Sequence, residues 1–147
     1  MIWPFRKPKP PPPRRKFDVE TVRMRLQQRI AGNADPHFKA VWTKQTMAEA
    51  NVFDIQKASD KSFAPWRKDV WECEDQARSL IEHAQRAAAN EGCSLAVGLM
   101  IADPPGQFQD AARHVYVWAV LPTGISCYDP TARRWCELPR NIYFSLA

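Results

Sequence analysis

The chain has 147 residues, 45% of them hydrophobic and 25% charged, a size and mix that suit one globular domain with its own core. Its net charge of +5 says little about nucleic acid, because the excess lies in one place. Residues 1–16 hold six basic residues and no acid, leaving 15 basic residues against 16 acidic ones in the rest of the chain. A neutral body with a basic tail is not the footprint of a nucleic-acid-binding domain.

Residues 1–16 also carry six of the 13 prolines, and Pro10 to Pro13 favour an extended polyproline helix. This arm is expected to be disordered or held by a protein partner, and residues 17–147 to form a single domain. Neither a secretory leader nor an apolar run of membrane-spanning length is visible. The expected setting is the cytoplasm, with reduced thiols. The cysteines at 73, 93, 127 and 136 contain no Cys-x-x-Cys pair, so neither a zinc site nor a disulfide framework is implied.

In chain order, Val19, Val22, Leu26 and Ile30 recur at near-helical spacing and predict a helix over 17–32. Residues 37–58 read as mainly helical. Residues 59–70 are polar and broken by Pro65, and Trp66 and Trp71 flank the approach to Cys73. Ala77, Leu80, Ile81, Ala84 and Ala88 form one apolar stripe and predict a helix from Cys73 to Asn90, stopped by Glu91-Gly92. Ser94 to Ala102 is a continuous apolar run, a buried strand. His114 to Leu121 is a second strand, turning at Thr123-Gly124 into a third that ends at Asp129. A further turn leads to Arg134–Leu138 and sets Tyr128 opposite Trp135 and Cys127 opposite Cys136.

Cys73, His114 and Asp129 follow one another in the order of a thiol nucleophile, its base and the group that orients the base. A helix N-terminus favours a thiolate through its unpaired N–H groups and dipole. Glu72, Glu74 and Asp75 oppose it, although Asp75 also suits a helix's first turn. The same acids offer an alternative, a hard-cation site. A turn centred on Thr123-Gly124 would set Asp129 beside Trp118, roughly 13 Å along the strand from His114, so an assembled triad requires a shifted register.

Cys73-Glu74-Asp75-Gln76-Ala77, His114-Val115-Tyr116-Val117-Trp118 and Asp129-Pro130-Thr131 resemble motifs of the bacterial transglutaminase-like cysteine proteinases, within the papain-like superfamily. They are also similar to the cysteine-peptidase-like domain of some fungal lectins and phage proteins. That resemblance implies an α+β, papain/transglutaminase-like fold: N-terminal helices and a central nucleophile helix packed on a small antiparallel sheet. It implies a thiol peptidase or amidase, a hydrolase or acyl transferase acting on amide bonds of a protein or amide-linked polymer. Cys73, His114 and Asp129 would be catalytic, and no cofactor would be needed. Arg67 stands where papain-like enzymes often keep an oxyanion glutamine, so Trp71 or a backbone amide would serve there, with Trp66 as a further substrate contact. The alternative is a non-catalytic structural or interaction protein, such as a phage particle component in host cytoplasm or virion, docked through its proline-rich arm.

Overall fold

The computed structural model describes residues 13–41, 44–69, 71–104 and 113–147. The expectations for the arm up to residue 12 lie outside them. Eight strands and three helices occur in the order β1 (Lys16–Asp18), α1 (Val19–Ile30), β2 (Ala34–Val41), β3 (Thr46–Ala48), α2 (Val52–Ser62), α3 (Cys73–Ala89), β4 (Val97–Asp103), β5 (His114–Leu121), β6 (Gly124–Asp129), β7 (Arg134–Cys136) and β8 (Arg140–Leu146). A six-stranded sheet runs β2-β8-β4-β5-β6-β7, and β1 pairs with β3 in a second, two-stranded sheet.

This corrects the expected fold class. The sheet is neither small nor purely antiparallel, since β2 and β8 run parallel at one edge. The N-terminal helical layer reduces to α1 and α2, because residues 34–41 and 46–48 are strands. Phe38 and Val41 fit a helical spacing and a strand alike, and β8, a hundred residues further on, decides between them. Pro36 cannot donate to a ladder. It sits on an edge strand, within the irregular stretch between Ala34 and Lys39.

The central strand explains its own composition. In β5, Val115, Val117, Ala119 and Leu121 face one apolar cluster, shared with Ala77, Leu80, Ala84 and Ala88 of α3 and Ile55 and Ala58 of α2. Tyr116, Trp118 and Val120 face the other, shared with Val22, Leu26 and Ile30 of α1. A strand covered on both faces reads as an unbroken apolar run. Two polar groups buried in the sheet are paired: Trp118 Nε1 donates to Ser145 Oγ at 3.0 Å, and Tyr128 on β6 donates to Ser59 Oγ on α2 at 2.9 Å.

Local chemistry fixes the helix starts. The Asp18 carboxylate accepts from the Thr21 N–H at 2.7 Å. Asn51 and Asp54 form a reciprocal capping box on α2, and Asp75 accepts from the Glu72 N–H at 3.0 Å at the head of α3. Each bond satisfies a backbone donor that a helix end leaves open. The residues leading out of the arm are bound to the body. Arg14 reaches both oxygens of Asp54, at 2.6 and 2.9 Å, and Glu91 at 2.9 Å.

Candidate functional site

Cys73 is the first residue of α3, half-buried against the cluster under that helix. The segment before it is held by reciprocal backbone hydrogen bonds between Arg67 and Trp71, both 2.7 Å. Asp69 takes a φ of 58° at the bend between them, a left-handed conformation that Asp tolerates better than most residues. This small loop delivers the chain to the helix.

His114 opens β5 and Asp129 closes β6, at the same end of neighbouring strands. Leu121 pairs with Gly124 and Val117 with Tyr128. Continued by one residue, that register sets Asp129 beside Tyr116, not Trp118. The turn is displaced from the centre expected on Thr123-Gly124, and the separation from His114 shrinks to one diagonal step, which side chains can span. His114 Nε2 lies 2.9 Å from Asp129 Oδ1, and the Tyr116 ring meets the imidazole edge-on with centroids 4.7 Å apart. With Nε2 given to the carboxylate, Nδ1 is the nitrogen left for the Cys73 sulfur.

The Asp129 carboxylate is fixed in turn. Its Oδ1 also accepts from the Thr131 N–H at 2.9 Å and the Ala132 N–H at 3.1 Å, the geometry of an Asx turn. Burial works to raise its pKa, but the hydrogen bond to His114 and the two amides hold it below the ordinary carboxylate range. Burial likewise opposes charge on His114. The hydrogen bonds and attraction of Asp129 and Cys73 outweigh it and carry the imidazole up to about 9. Cys73 follows the same logic. Burial raises its pKa, and the hydrogen bond with His114, the Val115 and Glu74 amides and the imidazolium charge more than offset it, so the thiol lies below its ordinary value. The three groups together favour a thiolate–imidazolium pair.

A residue with no role in the sequence reading ties this arrangement together. Gln76, 4% exposed, donates to the Ala64 carbonyl at 3.0 Å and accepts from Thr131 Oγ1 at 2.5 Å. It therefore links the approach loop, α3 and the turn that holds Asp129. A polar residue four before Leu80, on the apolar stripe, was the signal available. Trp66 is 49% exposed. Trp71 is half-buried, and its Nε1 has no hydrogen-bond partner among the described residues. Neither indole is bonded to the Cys73 cluster. Among the described residues no group of three or more His, Cys, Asp or Glu side chains is gathered in a way that could hold a metal ion.

The fold is similar to that of a lectin. A PSL1a–E64 complex superposes with a TM-score of 0.72 at 20% identity, over 90% of this chain and 51% of that one. The lectin of Polyporus squamosus, bound to the human-type influenza-binding epitope Neu5Acα2-6Galβ1-4GlcNAc, superposes with a TM-score of 0.71 at 20% identity, over 90% of this chain and 49% of that one. The chain thus spans about half the length of these neighbours. No protein-family model and no curated protein matches the sequence.

These similarities correct the family assignment. These two structures are lectin chains, not transglutaminase-like or papain-like proteinases. The expectation of a thiol peptidase or amidase, a hydrolase or acyl transferase on amide bonds, was drawn from that family and falls with it. So does the alternative of a phage particle component on an inactive papain-like fold. The second neighbour holds a glycan, which gives no support to a protein or amide-linked polymer as the implied ligand class. No helix among the described residues is long and apolar enough to cross a membrane.

Proposed function

We propose that Cys73, His114 and Asp129 form a reactive-thiol site, at which the Cys73 sulfur takes up an electrophilic ligand covalently. The thiolate forms a new S–C bond as the ligand's leaving group departs or its strained ring opens. The observation that carries it is the contact between His114 Nε2 and Asp129 Oδ1, which leaves the other ring nitrogen to hold the thiolate. A thiolate is the nucleophilic form of cysteine, and a neighbouring imidazolium populates it at neutral pH. The test is iodoacetamide labelling of Cys73 against pH in the wild type and in His114→Ala. The expected result is rapid labelling with an apparent pKa below the ordinary value of about 8.5, lost in the variant. Slow labelling indifferent to residue 114 overturns the reading. E64, found in one structural neighbour, is a second probe, with a mass adduct on Cys73 as its readout.

A second reading, glycan recognition, draws on the other neighbour, which was captured with a sialylated trisaccharide. Half-exposed Trp66 is the kind of aromatic surface on which a sugar ring stacks. Titration of the protein with Neu5Acα2-6Galβ1-4GlcNAc, followed through tryptophan fluorescence, tests it. A saturable change abolished by Trp66→Ala supports the reading, and an unchanged spectrum at millimolar sugar rejects it.

A further inference from the structure

We infer that Cys127 and Cys136 form a redox-modification site, a cross-strand thiol pair that a low-molecular-weight disulfide such as glutathione disulfide converts to an intramolecular disulfide. The two residues are directly paired on β6 and β7. Opposed residues of an antiparallel ladder share a face, with Cβ atoms about 4.5–5.5 Å apart. A disulfide needs Cβ atoms roughly 3.5–4.5 Å apart and accepts the Cα spacing of such a pair. Closure therefore asks for a shift of about 1 Å, given those two ranges. The strand that would move is suited to it: β7 has three residues and pairs on one side only, at the sheet edge. Cys136 Sγ already leans across the ladder, 3.7 Å from the Cys127 carbonyl oxygen.

Access and charge complete the site. Both cysteines line a cavity of about 290 Å³ together with Arg29, Trp135 and Leu138. Arg29 gives that cavity a cation, suited to the carboxylates of glutathione. Cys127 is buried, whereas Cys136 is half-buried and is the sulfur that an incoming disulfide meets. This difference in exposure makes Cys136 the attacking group and Cys127 the resolving one. The pair packs with the cluster under α1, whereas Cys73 packs with the cluster under α3, so the inference does not rest on the reading of Cys73.

The chemistry balances as thiol–disulfide exchange. The Cys136 thiolate attacks one sulfur of glutathione disulfide, whose S–S bond breaks and releases one glutathione thiolate. Cys127 then loses its proton and attacks the Cys136 sulfur of the mixed disulfide, expelling the second glutathione. Two protein thiols are oxidised by two electrons, and one disulfide is reduced to two thiols.

The test exposes the full-length protein to glutathione disulfide, followed by acid quench, denaturation, alkylation and tryptic mapping. Arg133 and Arg134 separate the two cysteines, so the product is a linked pair of peptides, residues 114–133 with 135–140. Cys127 and Cys136 should both vanish from the alkylated set and return together on reduction. In Cys127→Ser, Cys136 should instead accumulate as the glutathione adduct. The inference is overturned if both thiols stay alkylatable, if the linked partner is Cys73 or Cys93, or if wild-type Cys136 halts at the mixed disulfide.

Discussion

Asp129 is the residue through which the candidate site acts as a unit. Its Oδ1 serves the imidazole and two turn amides at once, so Asp129→Asn can keep the turn while removing the charge. The imidazolium should then lose its main stabiliser, and Cys73 alkylation at neutral pH should slow once the His114 pKa falls below the assay pH, by up to about tenfold for each further unit. Stability carries the same signature. The raised pKa of His114 contributes stability that is fully present below its unfolded value of about 6.5 and is lost as pH rises through about 9. The lowered pKa of Asp129 contributes stability that is present above its unfolded value of about 3.9 and is lost as pH falls through the folded value. The gap in melting temperature between wild type and Asp129→Asn should be widest between about pH 4 and 6.5, bounded by those two unfolded values, and should narrow on either side. A gap that does not narrow as pH falls well below about 4 or rises through about 9 would show that the pair is not charged in the folded protein.

At the scale of elements, α3 is held to the sheet by two kinds of contact. The apolar stripe was legible as a period, and the helix begins at Cys73 as that period required. Gln76 supplies the polar contact, and periodicity gives no role to a polar residue on an apolar face. Gln76→Ala strands the Thr131 hydroxyl and the Ala64 carbonyl. Losing two part-buried hydrogen bonds, at about 0.5–1.5 kcal/mol each, should lower the melting temperature by a few degrees at roughly 2–4 °C per kcal/mol. The variant should also slow Cys73 alkylation, because the turn that orients Asp129 loses its tie to the helix. Gln76→Glu, which keeps an acceptor for Thr131, should restore part of the rate. Equal rates in wild type and Gln76→Ala would remove the positioning role.

At the scale of the molecule, β8 closes the sheet. It lies between β2 and β4, parallel to the first and antiparallel to the second, and its Ser145 accepts the buried Trp118 N–H. Removing residues 140–147 would strip β2 of its sheet partner and remove the Ser145 hydroxyl that accepts the Trp118 N–H. Thermal unfolding of that truncated chain, followed by circular dichroism, should lose its cooperative transition. A sharp transition with the wild-type midpoint would mean that β2 and β8 are an appendage to an independently stable core. The neighbours match 90% of this chain at 20% identity, so a shared arrangement of elements tolerates extensive change of side chains, as packed cores do when volume and pattern are kept.

The sequence by itself determined what depends on neighbours along the chain. The helix opening at Cys73, the strand His114–Leu121 and the hairpin pairing Cys127 with Cys136 follow from apolar period and turn chemistry, which act over a few residues. It also singled out Cys73, His114 and Asp129, because residue type and order survive without coordinates. Only the tertiary structure decided that residues 34–41 are a strand, since their hydrogen-bond partner is β8. Only it fixed the register that brings Asp129 within one diagonal step of His114, because side-chain alternation permits any even slip and the packing of both sheet faces selects among them. The short motifs suggested a proteinase family and a peptidase-like domain of some fungal lectins, whereas the global arrangement of the strands is similar to part of two lectin chains. Motifs of a few residues constrain local geometry, whereas the fold is set by pairings between segments far apart in the chain.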